Sequence, residues 1–263
     1  MTKENKIIEL YAKEDQLINA AVDKVVVELF NKWDSSSNGQ AIVMTGCSPV
    51  VGTTSTSIEL GIAIAASKRK TLLIDCDVRR ANQYKKLNDE ANLGLANYLL
   101  DNDIALEKVV YPTNIDNLQY IPCGDCFDNP TRVLCSVRME ELIAAVKEEY
   151  DCILFDVPAV TLVPDAQVLF PYVDGIILLS ALGETRKKQI KDAKRKVAPF
   201  AQKYYGMIIN MIPMDVYKQN VKDYDYYFVN KKGEQTFRNN EGFKKYAKKK
   251  KIHTMEEAKR NEK

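Results

Sequence analysis

The sequence predicts an α/β fold built on a mostly parallel, twisted sheet with helices on both faces. Three observations predict it. Short apolar runs recur along the chain. Helical patterns separate most of them. The first run leads through a tight turn straight into a helix. Continuous apolar strands that alternate with helices imply a parallel sheet covered on both sides. A chain of 263 residues can form one large domain of this kind.

The elements follow in order. Residues 14–33, EDQLINAAVDKVVVELFNKW, have helical spacing of apolar side chains, and DSSSNGQ then ends the helix. AIVMTG at 41–46 predicts the first core strand. TLLIDCD (71–77), LQYIP (118–122), CILFDV (152–157), GIILLS (175–180) and GMIINMI (206–212) predict five more. Helical patterns cover 54–67, 136–149 and 185–198, with a short one at 93–100. The alternation stops near Met214. This divides the chain into an N-terminal helical segment at 1–36, a core domain at 37–214 and a Tyr- and Lys-rich tail at 215–263.

Composition narrows the function classes. A hydrophobic content of 46% with 28% charge is ordinary for a globular protein. No apolar run approaches a membrane span, and MTKENKIIEL lacks the apolar core of a signal peptide, so a cytoplasmic chain is expected. Cys47, Cys76, Cys123, Cys126, Cys135 and Cys152 read as reduced thiols. Cys123 and Cys126 form a CxxC, but no second pair follows, and the single histidine, His253, is far off; zinc needs about four ligands. The net charge of +2 hides an asymmetry. Lys231–Lys263 holds 12 Lys and Arg against 5 Asp and Glu, a surplus of 7, densest in KKYAKKKK at 244–251. This is a solvated tail or an attraction to an anionic membrane surface. No nucleic-acid-binding module accompanies the charge, so no nucleic-acid partner is expected.

In parallel sheets, ligands bind at the carboxyl ends of the strands. The second strand ends in Asp75 and Asp77, followed by Arg79 and Arg80, and CILFDV ends in Asp156 before Val157 and Pro158. Each acid alone reads as a helix or turn cap. Together, beside the loop TGCSPVVGTTST (45–56), they suit Mg²⁺ and phosphate. Carboxylates bind the hard cation, and free N–H groups at a helix start near 52–55 face the anion.

The stretch VMTGCSPVVGTTSTSIELGIAIAASKRKTLLIDCDVRR resembles the nucleotide-binding core of bacterial protein-tyrosine kinases (BY-kinases) of capsular and exopolysaccharide synthesis. The likeness continues through GLANYLLDN, NPTRVLCSVRMEELIAAVKEEYDCILFDVPAV, PDAQVLFPYVDGIILL and YGMIINMIP, over residues 41–213. That family is a branch of the ParA/MinD-like P-loop ATPases. The resemblance implies ATP and Mg²⁺ as cofactors, with Pro49, Gly52, Thr53, Thr54 and Ser55 around the phosphates. It implies Thr54, Asp75 and Asp156 at the metal. Asp75 and Asp77 are implied to assist the attacking tyrosine, and Asn210 to lie near the base. Tyr224, Tyr226 and Tyr227, in the tail, are implied autophosphorylation sites. It also implies a membrane polysaccharide chain-length or co-polymerase protein as partner and a place at the inner face of the membrane; a non-catalytic regulator would also bind an active kinase paralogue.

Two departures bear on activity. Aligned on Pro49, the family's first loop glycine is Val50 and its lysine is Thr53. Valine resists the backbone dihedrals that glycine permits, and threonine brings no charge to the β- and γ-phosphates. Lys68, Arg69 and Lys70 lie beyond the far end of the helix. The family's N-terminal Glu-x-x-Arg-x-x-Arg assembly motif is also absent from EDQLINAAVDK. The expected function is therefore a kinase-like regulator of polysaccharide synthesis with weak or lost autophosphorylation. The alternatives are an active tyrosine autokinase with an unorthodox loop and a ParA/MinD-like ATPase.

Overall fold

Side chains alternate across each strand of a computed structural model that describes residues 7–12, 15–33, 39–79, 93–125, 129–213 and 215–217. The chain divides into two units, Met1–Met211 and Ile212–Lys263, and every strand and helix named here belongs to the first. Tyr224, Tyr226, Tyr227, Arg80, Cys126 and the basic run at 244–251 lie outside the described residues.

The strands are β1 (Gln40–Gly46), β2 (Thr71–Asp75), β3 (Tyr111–Pro112), β4 (Leu118–Ile121), β5 (Cys152–Val157), β6 (Gly175–Ala181) and β7 (Tyr204–Asn210). They form one sheet in the order β3-β4-β2-β5-β1-β6-β7. All neighbours are parallel except the β3–β4 pair. The helices are α1 (Gln16–Phe30), α2 (Thr53–Ala66), α3 (Leu95–Leu100), α4 (Pro130–Leu134), α5 (Val137–Glu149), α6 (Asp165–Leu169) and α7 (Lys187–Val197). Asp15 caps α1, accepting from Leu17 N–H at 2.8 Å, which satisfies one of the orphan donors of the first turn.

Two apolar layers result from the strand period of two. Ile42, Met44, Leu73 and Leu154 pack with Val26 and Leu29 of α1 and Leu60 and Ile64 of α2. Val43, Ile74, Phe155 and Leu178 pack with Leu142 and Val146 of α5 and with residues of α3, α4, α6 and α7. The central strands are buried on both faces, so they read as continuous apolar runs.

The predicted strands, the four longer helical patterns and the short one at 93–100 are all present. The last strand is shifted: the apolar run suggests 206–212, yet pairing to β6 begins at Tyr204 and ends at Asn210. Tyr204 pairs with Ile176, and an irregularity at Tyr205 separates it from the regular pairing that resumes at Gly206. Residues 7–12 run beside β3, with Ile8 and Leu10 buried and Ile8 N–H donating to the Pro112 carbonyl. The two-residue β3 and the five-residue α4 and α6 are too short for any periodicity to reveal.

Two expectations follow. Phe155 is fully buried on β5, so Phe155→Ala should cost about 3–5 kcal/mol in denaturant unfolding. Burial pushes the Cys47 thiol up to about 11 and also raises Cys152, Tyr120 and Tyr150. A folded pKa above the unfolded value means the native chain holds the proton more tightly. That stability is complete below about pH 9 and is lost as pH rises through the folded values. Unfolding free energy measured from pH 8 to 11 should therefore fall with rising pH.

Candidate functional site

The site grows from the turn between β1 and α2. β1 lies between β5 and β6, so the segments leaving those strands flank the turn. Both flanks fasten it. Thr45 Oγ1 donates to the Pro158 carbonyl at 2.7 Å, Val160 N–H to Gly46 at 3.1 Å, and Thr161 Oγ1 to Cys47 at 3.0 Å. From the other side, Cys47 N–H reaches the Leu179 carbonyl at 2.7 Å, and the Ser48 and Thr185 hydroxyls share a hydrogen bond of 3.0 Å.

Within the turn, Val50 adopts φ 61°, a left-handed conformation, and its side chain is 85% exposed. For a β-branched residue this is a strained state, costing about 1–2 kcal/mol. The chain has kept the turn that glycine would make easily. Gly52 follows at φ 80° and caps α2. Its φ favours glycine, and a Cβ there would sit 2.5 Å from Asn210 Nδ2, so a larger residue would also displace that amide. Asn210, at the end of β7, donates to the Val51 carbonyl at 2.9 Å and to Thr56 Oγ1 at 3.3 Å. The geometry makes it a clamp on the loop.

Gly52 brings no side-chain cap, so the first-turn N–H groups of α2 point out of the helix without an intrahelical partner. They open onto a cleft of about 430 Å³ lined by Pro49 to Ser55, Asp77, Asp156, Leu162 and Met211, among others. The cleft thus gathers Pro49, Gly52, Thr53, Thr54, Ser55, Asp77 and Asp156 of the sequence-predicted set. Asp75 is not among its lining residues. It is buried beside Asp156, its register partner, and accepts Asp77 N–H at 3.0 Å. Burial, and then the Asp75 and Asp156 carboxylates, push the Tyr120 phenol well above its usual value. The phenol therefore keeps its proton and donates to Asp75 at 3.3 Å. Among the described residues no group of three or more His, Cys, Asp or Glu is arranged to hold a metal ion by itself. Two carboxylates and the Thr54 hydroxyl suit a cation shared with phosphate oxygens.

Positive charge is scarce. Arg79 is the sole cation among the described lining residues. Its guanidinium forks onto Asp165, with Nε to Oδ2 at 2.7 Å and Nη2 to Oδ1 at 2.8 Å, and Nη2 also reaches Thr131 Oγ1 at 2.7 Å. Thr131 Oγ1 in turn donates to Asp165 at 2.6 Å, and Asp165 is fully buried. Hydrogen bonding to Asp165 raises the Arg79 pKa further, so the guanidinium stays charged. Sequence reasoning assigned no role to Thr131 or Asp165. The only local signal was an aspartate opening PDAQ, which reads as an ordinary helix start.

The family model described as an AAA domain matches residues 39–170. Tyrosine-protein kinase CpsD of Streptococcus agalactiae serotype Ia is 30% identical over 183 residues, covering 69% of this chain and 78% of the relative. The kinase domain of Escherichia coli tyrosine kinase ETK superposes with a TM-score of 0.66 at 26% identity, covering 74% of this chain and 75% of that one. The septum site-determining protein MinD of Pyrococcus horikoshii, complexed with Mg-ADP, gives a TM-score of 0.54 at 22% identity over 70% of this chain and 79% of that one. The last likeness shows the fold alone, a MinD-like P-loop fold.

Relieving the left-handed valine should stabilise the chain. Glycine gives back part of the gain through its freer unfolded state. Val50→Gly is therefore expected to raise the unfolding free energy by about 0.5–1 kcal/mol in denaturant titrations.

Proposed function

The chain belongs to the bacterial protein-tyrosine kinase family, and within it we propose a kinase-like regulator of capsular or exopolysaccharide synthesis with weak or lost autophosphorylation. The observation that carries this reading is the spent charge of the cleft. Thr53 stands where the resemblance puts the phosphate-binding lysine, and Arg79 is bound to a buried carboxylate.

What remains still fits a nucleotide. The N–H groups of Thr53, Thr54 and Ser55 would hold phosphate oxygens at the positive end of α2. Thr54, with Asp77 and Asp156, would hold Mg²⁺, and Asp75 would fix Asp77 through its backbone N–H. Bound ATP would supply a γ-phosphoryl group, with Mg²⁺ neutralising part of its charge. Losing one charge-assisted hydrogen bond costs about 1.5–3 kcal/mol in binding. The transition state depends more heavily on positioned positive charge, so turnover suffers more than binding. The acids that would orient an attacking hydroxyl are present without the cation that would stabilise the transferring group.

Among the described residues no helix is long and apolar enough to cross a membrane. Such a regulator would reach the inner face of the membrane through a co-polymerase protein or an active kinase paralogue. The tail surplus of positive charge would add anionic-lipid attraction. Tyr224, Tyr226 and Tyr227 would be the tyrosines offered for phosphorylation, in trans where a paralogue is present.

Calorimetric titration with ATP and Mg²⁺, beside phosphotyrosine detection on the purified chain, tests the reading. The expected result is weak binding without phosphotyrosine. Val50→Gly with Thr53→Lys should tighten ATP binding by about tenfold or more. Strong phosphotyrosine on the unaltered chain, lost in Asp77→Asn, would establish the active-kinase reading instead.

A further inference from the structure

Helix α7 carries a density of positive charge that the nucleotide site does not use. From Arg186 to Val197 the sequence holds seven Lys and Arg against one Asp. Arg186, Lys187, Lys188, Lys191, Lys194 and Arg195 are exposed. The spacing of 187, 188, 191, 194 and 195 puts them on one side of the helix. Asp192 offsets only Arg195, at 2.7 Å. Lys196 is set apart by a hydrogen bond to the Val160 carbonyl. The opposite side is committed to the core: Ala193 and Val197 are buried, and Ile190 packs against the same cluster.

We propose that the exposed face of α7 docks the folded domain on an anionic lipid bilayer. Clusters of four to eight Lys and Arg on one helix face attract acidic headgroups. The composition favours a lipid surface over other anions. Four of the six exposed cations are lysines, strongly hydrated point charges on flexible stems that suit a fluid, laterally mobile surface. The helix carries no aromatic side chain for stacking on nucleic-acid bases. Its apolar residues face inward, so it presents no anchor of the kind that dominates protein interfaces. For the same reason the helix lies on the headgroups and does not insert. Thr185, just before this helix, shares a hydrogen bond with Ser48 of the phosphate-type loop. Docking through α7 therefore brings that loop close to the bilayer. The surface belongs to the folded domain and is separate from the basic tail.

The test is co-sedimentation of the full chain with vesicles of phosphatidylcholine alone and with roughly one third phosphatidylglycerol. Four full-length proteins are compared: the unaltered chain, a tail variant with Lys248, Lys249, Lys250 and Lys251 changed to Gln, a helix variant with Lys187→Glu, Lys188→Glu and Lys191→Glu, and the same helix sites changed to Gln. Circular dichroism and thermal unfolding confirm that the variants fold; the Gln set covers the case in which the Glu set does not. The unaltered chain and the tail variant should bind only the anionic vesicles. The helix variants should lose binding by about tenfold or more, and all binding should weaken on going from about 0.05 M to about 0.5 M salt. Retained binding in both helix variants would overturn the proposal, as would equal binding to both vesicle types. Capture on immobilised polyglutamate without vesicle binding would also overturn it, assigning the face to an acidic protein.

Discussion

The turn from β1 into α2 depends on a single constraint, the parallel pairing of β1 with β5 on one side and β6 on the other. Parallel neighbours send their carboxyl ends the same way, so three exits converge on one end of the sheet. The hydrogen bonds with Pro158, Val160 and Thr161 on one flank, and with Leu179 and Thr185 on the other, are consequences of that convergence. They over-determine the loop. That explains how Val50 is held at φ 61° although its own preference is for the extended region. The loop's shape is imposed from outside and does not need its signature glycine at that position.

Shape and charge have therefore come apart. The surrounding strands hold the turn's shape, while threonine at position 53 brings no cation to it. The remaining cation nearby cannot compensate cheaply. Moving Arg79 into the cleft would strand Asp165, a fully buried carboxylate, without its partner. Breaking a buried, hydrogen-bonded ion pair costs about 3–5 kcal/mol. The gain from one new phosphate contact, about 1.5–3 kcal/mol, is smaller. Arg79 is thus a structural tie between β2 and α6, and the cleft stays poor in positive charge.

Much of this was legible in the sequence. CILFDV gave β5 without error because a strand buried on both faces needs only a continuous apolar run. TGCSPVVGTTST placed the loop and the helix start because a turn residue followed by a helical pattern is a local signal. Asp77 and Asp156, read from their position at strand ends, both line the cleft. The misses share a cause, which is distance along the chain. Asp165 is 86 residues from Arg79, and Asn210 is 159 residues from Val51, so no local pattern could show either contact. Asn210 was assigned by resemblance to a base-proximal position; its amide is engaged with the loop backbone, a role that only the register of β7 against β6 reveals. Asp75 was grouped with the other acids because it ends the same strand as Asp77. The turn after β2 then brings Asp77 to the cleft and leaves Asp75 behind it, under Tyr120.

The same separation of shape from charge bears on what the fold can do without catalysis. The strain at Val50 persists because the neighbours enforce it. The loop is therefore a surface whose geometry its neighbours hold. A rigid site of that kind still differs in energy between empty and filled forms, through the helix N–H groups alone. Differential binding is all that a ligand needs to bias one state of a protein over another. Asn210 joins the loop to β7, and Ser48 joins it to the segment entering α7. A ligand that moved the loop would have to move these ties as well. With threonine at position 53, these ties still connect the cleft to the rest of the domain.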